Sequence, residues 1–318
     1  MFSMGYWAQR AINGMGAGLL LGLLASCGGG TDQVDPFEPT RYMAFGDAMS
    51  VITPEGLKYT VNAVGSDGIT PDCSISTSSQ PSLLWTQILG NTFNFAFKEC
   101  NPSGRTKLGE IFAKPDAKSA DFVTQVAEAR VKHGEFGCKD LMSVLIGVND
   151  VIDLYENVYL ANPTPSTANA VTSELSARGT RLGQEIAALT ANNGPNFIVS
   201  TIPRINQTPY GRQQAALRPD LNVSNVLSQF SDAFNTALRT SIPNDGSRWG
   251  LVELDAIVNA AINNPDNYDL DNVRDAVCAP GAVLPNCTNI TSNLVRGGNP
   301  DTWLWANDRW IGWEAHSR

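Results

Sequence analysis

Apolar residues recur along this chain in two alternating rhythms. Short runs dominated by apolar residues stand at 42–45, 93–97, 141–146, 197–202 and 251–254. Runs of this length with few polar breaks mark strands covered on both faces. Longer stretches between them repeat their apolar residues at helical spacing: 83–89, 117–131, 151–160, 168–189 and 223–238. The last is the clearest, with Val226, Leu227, Phe230, Phe234, Ala237 and Leu238 on one stripe. Strands alternating with helices predict a parallel sheet with helices on both faces, a single α/β domain of the flavodoxin-like type. Ligands of such sheets sit beyond the carboxyl ends of the strands.

The N-terminus follows neither rhythm. Arg10 is the only charge before an apolar, glycine-rich run at 11–24, too short to span a bilayer comfortably. The run ends in Leu24-Ala25-Ser26-Cys27, which resembles a bacterial lipobox with Cys27 as the lipidated residue. An ordinary secretory signal or a short anchor is the plainer alternative. Gly28 rather than an aspartate follows the cysteine, which points to the outer membrane of a Gram-negative bacterium. Residues 28–40 are rich in Gly, Pro and acid and read as a tether. The expected organisation is therefore 1–27 signal and lipidation site, 28–40 linker, and 41–318 domain. Lipid on Cys27 makes the membrane the first expected partner.

An exported chain meets an oxidising compartment, which gives its cysteines meaning. Cys278 and Cys287 bracket a Pro/Gly-rich loop and are expected to pair. Cys73 and Cys100 are expected to close the first βαβ unit. Cys138 is left over as a thiol. None of these spacings resembles a zinc site, and no cofactor is expected. The net charge of −9 becomes −10 once Arg10 leaves with the signal, and no basic run offsets it, which argues against nucleic acid. The oligomeric state is left open.

Four short motifs sit at the ends of these elements. Gly46-Asp47-Ala48-Met49-Ser50 follows the first strand. Gly147-Val148-Asn149-Asp150 follows the strand at 141–146. Ile202-Pro203 with Thr208-Pro209-Tyr210 follows the next strand, and Phe234-Asn235 with Leu238 lies in the following helix. Trp303-Leu304-Trp305-Ala306-Asn307-Asp308 approaches the C-terminus. In this order the motifs resemble those of the GDSL, or SGNH, hydrolases over residues 40–316. The resemblance implies an esterase or lipase fold. It places a serine nucleophile at Ala48, oxyanion-type donors at Gly147 and Asn149, and an acid and a base at Asn307 and Trp310.

The departures fall on the chemistry. Ala48 has neither lone pair nor ionisable proton, so it cannot attack an ester. The block around 94–100 has no glycine until Gly104. The family's Asp-x-x-His becomes Asn307 and Trp310, and starting at Asp308 instead puts Ile311 at the base position. His133 and His316, the two histidines, read as solvated surface residues. Ser50, two residues beyond Ala48, points elsewhere on the turn. The reading is a surface lipoprotein with an esterase-like fold and no ester hydrolysis, acting as an envelope binding or structural module. The alternative is an active ester hydrolase with non-standard residues, and a third is a decayed product with no function.

What remains has a plain and a functional interpretation. Asn149 either ties its strand end to nearby loops or still donates to a ligand oxygen. Asp47 and Asp150 are expected to brace loops. Trp303, Trp305, Trp310 and Trp313 are either core aromatics or, at Trp310 and Trp305, a platform for a sugar or an acyl chain. Ala48, Asn149, Asn307 and Trp310 are expected to meet in one cleft, with Trp310 facing Ala48. The family also has a further terminal helix, expected here to be short or missing.

Overall fold

In a computed structural model of the chain, residues 36–73, 82–243 and 248–316 are described. The lipobox and most of the linker lie outside the described residues. Six strands form one sheet, every pairing parallel: β1 (Arg41–Gly46), β2 (Ala96–Phe97), β3 (Leu108–Ile111), β4 (Asp140–Leu145), β5 (Asn196–Ser200) and β6 (Trp249–Val252), in the order β2-β3-β1-β4-β5-β6. The chain leaves β1 in one direction and returns past it from β3 to β4. The switch point therefore lies at the carboxyl end of β1, where open α/β sheets place their sites.

Alternation along β1 fixes which helix covers which face. Tyr42 points to one side, where a Cβ on Gly90 of α1 (Trp85–Thr92) would lie 3.1 Å from its ring. Phe45 points to the other and meets Phe122 of α2 (Phe122–His133) edge-on at 5.7 Å. After β4 the chain runs through α3 (Val148–Leu154), a π-helical turn at Tyr155–Tyr159, and α4 (Pro165–Thr190). Thr164 caps α4, its side chain accepting the Thr167 N–H, and Pro165 opens the first turn. After β5 come α5 (Pro209–Leu217) and α6 (Val223–Ser241), whose predicted stripe is buried throughout. Gly179 lets α6 lie close on α4, since a Cβ there would stand 2.4 Å from the Phe234 carbonyl oxygen. After β6, α7 (Leu254–Asn263) leads to a separate parallel pair, β7 (Asn272–Ala276) and β8 (Trp303–Trp305), and to a last turn, α8 (Trp313–His316). Residues Glu38–Arg318 form one compact unit. No helix among the described residues is long and apolar enough to cross a membrane.

Several expected boundaries move. The strand at 93–97 shrinks to Ala96–Phe97, because Asn94 turns the chain at φ 64°. The helix expected from 151 begins at Val148 and passes into the π turn after Leu154. The strand at 251–254 lies two residues earlier, and it is not the last. Both expected disulfides are present, with Cα separations of 5.2 Å for Cys73–Cys100 and 6.1 Å for Cys278–Cys287, and Cys138 is unpaired.

Candidate functional site

The block after β1 is held from three directions. Gly46 has φ 129°, and a Cβ there would collide with the Leu145 carbonyl oxygen at 2.1 Å. The Gln125 side chain of α2 grips the same residue, accepting its N–H and donating to its carbonyl, each at 2.8 Å. Asp47 donates its N–H to Leu145 O at 3.0 Å, which locks the block to the end of β4. A 3₁₀ turn follows at Ala48–Ser50, with Asp47 Oδ1 accepting the Met49 N–H at 3.2 Å. Asp47, Ala48, Met49 and Ser50 are each at most 1% exposed. The position at which the resemblance places a nucleophile is sealed.

Burial raises the Asp47 carboxyl well above the usual carboxylate range. The Met49 N–H acts against this, and the negative Asp150 adds to it. Asp47 Oδ2 and Ser50 Oγ are both buried without a hydrogen-bond partner. Ser50 is therefore no substitute nucleophile, because it is fully covered.

The block after β4 braces loops. Gly147 has φ 135°, and a Cβ there would come within 2.4 Å of the Phe234 ring. Asn149 Nδ2 donates to Pro115 O at 3.2 Å and to Ala117 O at 2.9 Å. Both amide hydrogens are thus spent on the β3–α2 loop, and none is left for a ligand oxygen. Asp150 accepts from Ser119 N at 2.7 Å, Ser119 Oγ at 2.8 Å and Arg178 Nη1 at 3.0 Å. Burial raises its pKa against these bonds.

The last block is a tight hairpin. Trp305 pairs with Ile311, and Ala306 donates its N–H to Trp310 O at 2.9 Å. Asn307 Oδ1 accepts the N–H groups of Arg309 at 3.0 Å and Trp310 at 2.7 Å, so its side chain serves the turn. Asp308 O accepts the Tyr210 N–H at 2.7 Å, which fastens the hairpin to the start of α5, beyond the carboxyl end of β5. The hairpin is thereby tied to the segment that follows β5. Ala48 and Trp310 also belong to the same continuous apolar core.

Two expectations are corrected here. Trp305 is fully buried, with Nε1 donating to Val273 O at 3.0 Å, so it offers no stacking face. Trp310 is 6% exposed and offers no open stacking face. His316 is not a solvated residue: it is 5% exposed, and Nδ1 accepts the Trp85 N–H at 3.4 Å. Burial, with the charge of Lys58 behind it, lowers the His316 pKa to about 3. His133 lies near Glu110, Nε2 to Oε1 3.1 Å, at the end of α2.

Pattern reading gave no sign of Gln125 or Lys58, since a single polar residue in an apolar stretch does not reveal its partner. A 300 Å³ recess lies beside the site, lined by Lys114, Pro115, Asp116, Ala117, Asp121, Thr124 and Gln125. Its walls mix charged and polar side chains with apolar surface. No group of three metal-ligating side chains occurs among the described residues.

No protein-family profile matches the chain. No curated protein matches it either. Among solved structures it is similar in fold to a member of the lipolytic protein G-D-S-L family from Veillonella parvula. That similarity has 9% identity and a TM-score of 0.35, and covers 70% of this chain and 82% of that one. An extracellular lipase from Streptomyces rimosus gives 16% identity and a TM-score of 0.40 over 78% and 93% of the two chains. LAE5, an alpha/beta hydrolase from the metagenome of Lake Arreo in Spain, gives 15% and 0.37 over 78% and 88%.

Proposed function

We propose that this chain is a GDSL/SGNH-type protein that has lost ester hydrolysis and serves as a lipid-anchored binding or structural module of the bacterial envelope. The observation that carries the proposal is the sealed block at 47–50, with a methyl group where the nucleophile belongs. An ester carbonyl has neither an attacking oxygen nor a path to one. The side chains at the acid and base positions support the same reading. Asn307 closes a turn, and Trp310 cannot accept a proton. A triad works as a unit, so once its nucleophile is gone the remaining members contribute little to the rate.

Lipid on Cys27 would hold the module at the outer membrane. Purified chain, assayed on short p-nitrophenyl esters beside an Ala48→Ser, Asn307→Asp, Trp310→His revertant, tests the loss of catalysis. The unmodified chain is expected to show no turnover above a heat-denatured control. Stoichiometric labelling of the native protein by a serine-reactive phosphonate would overturn the reading. The anchor is tested by Cys27→Ser, which is expected to release the protein from membranes or stall its processing.

A further inference from the structure

Because every strand pairing in the main sheet is parallel, all six strands start at one edge, opposite the Gly46 end of β1. The chain enters the domain at this amino edge. Thr40 donates its N–H to Lys139 O at 2.8 Å, immediately before β1. Arg41, the first residue of β1, gathers the ends around it. Its Nη1 donates to His133 O at 2.9 Å, its Nη2 to Glu135 O at 2.9 Å and its Nε to Asp140 Oδ1 at 2.6 Å. The last turn of α2, the loop after it and the start of β4 are thereby fixed around the point of entry.

This edge is basic in a chain whose net charge is −9. Arg130, Lys132 and Lys139 are exposed, and Val131, between the first two, is 90% exposed. Against them stand exposed Glu135, 4.0 Å from Arg130, and exposed Glu38 on the incoming chain. Asp140 is buried and matched by Arg41. Cations in the last turn of a helix complement its carbonyl end, which accounts for Arg130 and Lys132. Lys139 lies outside the helix, in the turn before β4, and needs another account.

The point of entry supplies one. With lipid on Cys27, residues 28–40 reach about 45 Å when fully extended and average about 20 Å as a flexible chain. A bilayer holding that lipid is kept beside the amino edge. A short tether makes contact effectively intramolecular, so a weak attraction is enough to decide which face rests on the surface. Lysine and arginine side chains near an anionic bilayer each favour contact about fivefold, and an apolar side chain among them adds buried area.

We propose that the amino edge of the sheet is a membrane-contact surface. Arg130, Lys132 and Lys139 lie on anionic lipid headgroups with Val131 among them, and the Gly46–Ser50 block is turned away from the bilayer. This inference rests on the lipid anchor at Cys27. The six residues of β1 set the block about 20 Å above the contact, free to meet a ligand from the far side.

The lipidated full chain, reconstituted into vesicles of phosphatidylcholine with or without phosphatidylglycerol, tests the surface by amide hydrogen exchange. Peptides covering 130–139 are expected to exchange about fivefold more slowly on the anionic vesicles, the effect of one net positive charge. Raised salt is expected to abolish the difference. The loop at 114–121, beyond the carboxyl end of β3, is expected to exchange equally on both. Arg130→Glu with Lys139→Glu, both at exposed positions, is expected to lose the slowing. Equal exchange at 130–139 on the two vesicles, slowing at 114–121 instead, or slowing that survives in the double variant would each overturn the proposal. Intact mass separates the two ideas: a chain without lipid on Cys27 refutes the anchor and this surface with it, whereas a lipidated chain with equal exchange refutes the surface alone.

Discussion

Gly147→Ala probes the join between the second hydrolase-like block and the core. Two costs are expected. At φ 135° an alanine is strained, which is worth about 1–3 kcal/mol. The new methyl would also stand 2.4 Å from Phe234 Cε1, and Phe234 is fully buried. The ring has to shift inside a packed interior, an overpacking cost of about 1–3 kcal/mol more. The sum is about 2–6 kcal/mol. A unit of about 280 residues has an unfolding entropy near 0.6 kcal/mol per kelvin, so the melting temperature should fall by about 3–10 °C. Gly297→Ala is the control, because Gly297 has φ 79° but nothing within 4 Å of a Cβ. It should show the torsional cost without the clash. Thermal unfolding followed by near-UV circular dichroism reads both variants. Equal midpoints for the two would mean that Phe234 does not press on Gly147, and the placement of the whole Gly147–Asp150 block would be wrong.

Three further outcomes are expected. His316 has its folded-state pKa depressed to about 3, so its stabilisation is complete above the unfolded value of 6.5 and is lost as pH falls toward 3. This removes about 2 kcal/mol between pH 6.5 and 5, and His316→Gln should remove that part of the acid limb in urea titrations at each pH. Asp47 has its folded-state pKa raised, so its contribution is present below about 3.8 and declines as pH rises through the folded value. Asp47→Asn should therefore gain stability over the native chain progressively from pH 4 to 7; a constant difference across that range would contradict a neutral buried carboxyl. Ala48→Ser alone should neither turn over p-nitrophenyl acetate nor react with a fluorophosphonate probe. Labelling of that variant would show that the block opens to solvent and that some group nearby takes the proton.

The core strands were legible because they are covered on both sides: β4 is buried at all six positions, and its run of apolar residues announces it. The stripe on α6 was legible for the same reason. β3, β7 and β8 were not, since Leu108–Ile111 and Asn272–Ala276 are short, mix polar with apolar residues, and gain their partners from distant segments. Both disulfides could be inferred from closeness along the chain. At the site, the missing nucleophile was plain from Ala48, but its burial was not, because burial depends on Gln125, Leu145 and the loops packed around them. His316 was misjudged because its partner, Trp85, is 231 positions away. Sequence position at a chain end suggests exposure, whereas the contact that decides the matter is tertiary.

β1 is both the first strand of the domain and an interior strand of the sheet, flanked by β3 and β4. Arg41 at its start is clamped to Asp140 at the start of β4, Nε to Oδ1 2.6 Å, and the two strands run in parallel register from there to Gly46 and Leu145. A pull on the N-terminal side therefore loads β1 lengthwise. Its ladders on both sides must shear together instead of opening one bond at a time, and the Arg41 clamp is the first to take the strain. Under tension the lifetime of the fold is set by the rate of that rupture and not by its equilibrium stability. A protein drawn on from this end resists as a sheet does along its strands.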